Sequence, residues 1–107
     1  MREFIGGHLH IDGRMIHYRL VTAHDYLTAK NRWSAEQVET FQDEHDSTYL
    51  LINQVMALKQ SCFLLRRTGY SCGSLSDNLF SLKMRLIHEL REKHNFDFDD
   101  EFVERNG

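Results

Sequence analysis

A chain of 107 residues supports one domain with one modest core, and pairing with a second copy is a common remedy for limited burial at this size. Its 13 Lys and Arg against 16 Asp and Glu give a formal net charge of −3, which excludes the overall basic field that drives nonspecific nucleic-acid binding. No apolar run approaches the length of a membrane span and residues 1–6 hold no signal-peptide core, so a cytoplasmic protein is expected.

The first organised stretch is a predicted β-hairpin over residues 4–11 and 14–21, turned at Asp12-Gly13. Asp-Gly between alternating runs suits a type I′ turn, in which both central residues need positive φ. Counting outward pairs His10 with Met15 and His8 with His17, which places His8, His10 and His17 on one face. The opposite face carries Ile5, Leu9, Ile11, Ile16, Tyr18 and Leu20 and is the expected core side. A lone hairpin is marginal in water, so it must pack on helices or gain a further strand.

Helix signals follow. Thr22 with Asp25 three residues on has the form of a capping box for a short helix, and Ser34 with Gln37 repeats that form at the start of a long one. The apolar stripe of the long helix runs through Val38, Phe41, Thr48, Leu51, Val55, Leu58, Cys62 and Leu65. It thins at His45-Asp46-Ser47, where a fresh cap would break the helix. Arg66 and Arg67 close it, and Gly69 and Gly73 punctuate a loop. Ser74 with Asp77 then predicts a second helix striped by Leu75, Leu79, Leu82, Leu86 and Leu90 and closed by Asn95. So short a loop implies antiparallel packing of the two.

The expected fold is therefore a single α+β domain over residues 1–107, with an N-terminal β-hairpin packed on a long helix and an antiparallel second helix. Residues 96–107 form an acidic and aromatic tail. It reads either as a flexible partner-binding segment, with Phe96, Phe98 and Phe102 as anchors and Asp97 and Asp99 for charge selectivity, or as a segment that folds back to finish the core.

Candidate chemistry is sparse. Three neutral imidazoles at His8, His10 and His17 have the type and number for an open Zn²⁺ site, while the plainer alternative is a sheet face covered by protein. Gly69 to Ser74 precedes a helix N-terminus, which would lower the pKa of a nearby thiol such as Cys72, yet the spacing is not that of a P-loop. Cys62 and Cys72 are expected as free thiols in a reducing compartment. Arg66, Arg67, Lys83, Arg85, Arg91 and Lys93 read as a solvated helix face or, less simply, as a local nucleic-acid patch. With no catalytic or cofactor signature, the functional expectation is a non-enzymatic interaction or regulatory module that binds protein and forms a homodimer. The alternative is a small metal-binding protein or metal-dependent enzyme using the hairpin histidines.

Overall fold

The computed structural model of the protein describes the backbone of residues 6–11 and 13–106, and the side chains of residue 13 and residues 20–106. Among the described residues five α-helices run in chain order: α1 (Ala23–Asn31), α2 (Ala35–Glu44), α3 (Asp46–Arg67), α4 (Gly73–Glu89) and α5 (Phe102–Asn106). A π-helical turn, Leu90–His94, extends α4.

Local chemistry sets most of these boundaries. At α1, Asp25 N donates to Thr22 Oγ1 at 3.3 Å and Thr22 N donates to Asp25 Oδ2 at 3.2 Å. At α2, Ser34 and Gln37 exchange the same reciprocal bonds at 3.2 and 2.8 Å. Each box satisfies backbone donors that a helix start leaves orphaned. The long helix of the sequence reading is two helices that meet at His45, whose φ of −133° and ψ of 52° lie outside the helical region. His45 N donates to the Phe41 carbonyl, and the His45 carbonyl accepts from Tyr49 N, so one residue serves both helices.

The α3–α4 turn folds back on itself. Gly69, at φ +87°, donates to the Arg66 carbonyl, and Tyr70 N donates to the Leu65 carbonyl at 2.8 Å. This is the paired-bond pattern of a Schellman C-terminus, for which a left-handed glycine is the natural residue. The helix that follows begins at Gly73 with Cys72 at its cap and no side-chain capping bond. Ser74 is already inside it, which corrects the expected Ser74 and Asp77 box. Asn95, at φ 57°, closes the π turn, and Phe96 N donates to the Leu90 carbonyl.

The α+β class is also corrected. Helix makes up 77% of the residues whose side chains are described and no strand lies among them, so the body of the molecule is helix on helix. The backbone of Gly6–Ile11 pairs antiparallel with Arg14–Arg19 and with no other segment. The side chains of this ladder lie outside the described residues. The Asp-Gly signal concerns a turn between neighbours; it carries no information on whether the flanking residues form a layer of the core.

That core joins Val21, Tyr26 and Leu27 to Val38 and Phe41 of α2, to Leu51, Ile52, Val55 and Met56 of α3, and to Leu86, Leu90, Phe102 and Val103. Amide side chains of α3 tie down the segment that enters α1. Val21 N donates to Gln60 Oε1 at 2.7 Å, Gln60 Nε2 donates to the Val21 carbonyl at 2.8 Å, and Ala23 N donates to Asn53 Oδ1. Among the described residues, no helix is long and apolar enough to cross a membrane.

Candidate functional site

The strongest concentration of chemistry lies where α2 meets α3 and the π turn. His45 and His94 stand edge to face with ring centroids 4.6 Å apart, and Phe41 touches both at 5.1 and 5.0 Å. Trp33, in the loop before α2, lies 5.4 Å from Phe41. The helix repeat makes the cluster, because Phe41 and His45 are four residues apart and so share a face. An open cavity of about 430 Å³ lies against Trp33, Phe41 and His45, lined also by Glu36, Gln37, Thr40 and Glu44, with His94 behind the rings. Gln37, Phe41 and Glu44 follow the i, i+4, i+7 spacing of one helix face, which is why residues from both ends of α2 reach one groove.

Behind the rings the polar groups form a chain. Thr48 Oγ1 donates to Glu89 Oε1 at 3.0 Å and lies 3.4 Å from His94 Nε2. With its proton committed to Glu89, the Thr48 hydroxyl accepts from His94, which favours the Nε2–H tautomer. Burial lowers the His94 pKa below the ordinary histidine range and the neighbouring His45 adds to the effect, against Glu89. Burial pushes the Glu89 carboxyl up, but hydrogen bonds from Lys93 and Thr48 outweigh it and leave its pKa lowered. The chain is buried at Thr48, so it holds the helices in place and presents no nucleophile to the groove.

The tail takes the second of its two sequence readings. Phe102 is only 4% exposed and belongs to the core, with Phe96 and Phe98 packed against it. Tyr26 meets the Phe102 ring edge-on at 5.1 Å and the Phe98 ring at 5.5 Å. Asp99 anchors the tail: its carboxylate accepts from Lys30 at 2.9 Å and from Arg105, and its backbone N–H donates to the Tyr26 hydroxyl at 2.7 Å. Burial raises the Tyr26 pKa to about 12. Burial also pushes Asp99 up, but its hydrogen bonds to Arg105, Lys30 and the Glu101 N–H dominate and bring it down to about 2. Of the five residues expected to bind a partner, Asp97 is exposed and paired with Arg91 at 2.8 Å, Phe96, Phe98 and Asp99 are half-buried, and Phe102 is buried.

The side chains of His8, His10 and His17 lie outside the described residues. Among the described residues, no group of three or more His, Cys, Asp or Glu side chains could hold a metal ion. Cys62 is buried and Cys72 half-buried, both as free thiols. Burial, and then the neighbouring Cys72 thiol, push the Cys62 thiol up. Much of the basic set is engaged within the fold: Lys83 pairs with Asp100, Arg91 with Asp97 and Lys93 with Glu89, and Arg67 lies over the Phe63 ring at 5.5 Å.

The groove itself was absent from the sequence reading. The sequence offers His45 only as part of a helix break. The local signal is the Phe41 and His45 spacing; the His94 ring that packs behind them comes from 49 residues downstream and has no local sign. Comparisons with family models, with curated proteins and with solved structures found no match for this chain.

Proposed function

We propose that the protein is a non-enzymatic protein-binding module that works as a homodimer, with two copies meeting through the half of the α3–α4 pair nearest its connecting turn. Phe80 carries this reading: it is 63% exposed, and Met84 one turn further on is 49% exposed. Leu75, Leu79 and Leu82 of α4 and Leu58, Leu64 and Leu65 of α3 are half-buried in the same half, whereas fully buried apolar residues stop at Cys62 on α3 and resume at Leu86 on α4. Apolar side chains one turn apart on an exposed helix face favour an isologous contact. Two α4 helices crossing antiparallel would set Phe80 of each copy against Met84 of the other, a sulfur–aromatic contact made twice. Burying a Phe or Met side chain is worth about 1.5–3 kcal/mol, so four of them offset a useful part of the cost of association.

The test is Phe80→Glu. Its circular dichroism should match the parent, because Phe80 is exposed and outside the described core, while its mass by light scattering falls to a monomer and its melting loses the dependence on protein concentration that a dimer shows. A dimer that survives Phe80→Glu unchanged places the contact elsewhere and overturns the reading.

A further inference from the structure

The groove against Trp33, Phe41 and His45 has an electrostatic character that folding does not explain. Helix α2 carries Glu36, Glu39, Asp43 and Glu44 and no cation, and none of these four carboxylates forms an ion pair with a described residue. Asp43 and Glu44 stand in its last turn, where the helix dipole disfavours negative charge. Glu36 and Glu44 line the same cavity as the aromatic rings, one from each end of the helix. Aromatic faces beside uncompensated carboxylates attract a cation twice over, through the ring quadrupole and through charge.

We infer that this groove binds a basic segment of a partner polypeptide, seating an arginine side chain on the half-buried Trp33 ring, which Phe41 backs from the core, beside the exposed Glu36 and Glu44. A guanidinium suits the place because it stacks flat on an aromatic ring and still offers its edge to carboxylates. The inference rests on the binding-module reading and names the chemistry of the partner, but it does not depend on the homodimer, whose contact lies on α4.

Trp33 is the protein's single tryptophan, so its fluorescence reports the groove directly. The probe is an end-blocked Gly-Arg-Gly-Arg-Gly peptide, and its control is the same peptide with citrulline, the neutral isostere, in place of arginine. The arginine peptide should change the emission saturably, the citrulline peptide should not, and E36Q/E44Q should weaken binding about fivefold at low salt. D77N, on α4, should leave the titration unchanged. No saturable change through the millimolar range, an equal response to citrulline, or undiminished binding by a folded E36Q/E44Q would each overturn the inference. Binding by a protein that light scattering shows to be a monomer overturns the homodimer alone.

Discussion

Single side chains hold the helices in register, and Gln60 is the clearest of them. Its amide satisfies both the N–H and the carbonyl of Val21 from the middle of α3, inside a buried environment. Replacing it with leucine removes the partner and leaves two buried backbone groups unpaired, so Gln60→Leu should cost about 3 kcal/mol in urea unfolding. Asp99 acts at the other end of the core and gives a pH signature. Its folded pKa of about 2 lies below the ordinary 3.8, so its contribution is complete above that value and is lost as the pH falls through about 2. Thermal melting from neutral to strongly acid pH should therefore show an acid-side decline that Asp99→Asn abolishes in part. His94 works at a milder pH: its lowered pKa means that stability present above the ordinary value of 6.5 declines as the pH drops below it. None of these roles was legible in the sequence, because each depends on a partner far along the chain, 39 residues away for Gln60 and 73 for the Asp99 N–H.

Helix starts were legible where the cap is local. The Thr22 and Ser34 boxes lie within four residues each, and both form as their spacing implies. The Ser74 box fails for a physical reason of the same scale: the tight turn at Gly69 brings the chain round early and lets α4 begin at Gly73. Alternation alone could not decide the tail, since Phe96 and Phe98 suit a docking strand or a core equally. The fold settles on the core, with Phe102 beneath Tyr26 and Asp99 as the anchor. Phe102→Ala should accordingly cost about 3–5 kcal/mol, measured by chemical denaturation. A stability within about 0.5 kcal/mol of the parent would mean that the tail is not part of the core.

For the molecule as a whole, the α+β expectation placed weight on a hairpin whose pairing is local, while the part whose side chains are described is helix packed on helix. The same packing leaves two faces for contact. One is acidic and aromatic on α2; the other is apolar on α4. The proposed self-pairing uses the α4 face and the proposed arginine site the α2 groove, so the arginine peptide should bind Phe80→Glu as tightly as it binds the parent. The self-pairing is tested most directly by the mass of the unmodified chain in solution, taken by light scattering across a concentration series. A homodimer gives a species of twice 12.7 kDa that dissociates on dilution; a mass of 12.7 kDa at every concentration would rule it out.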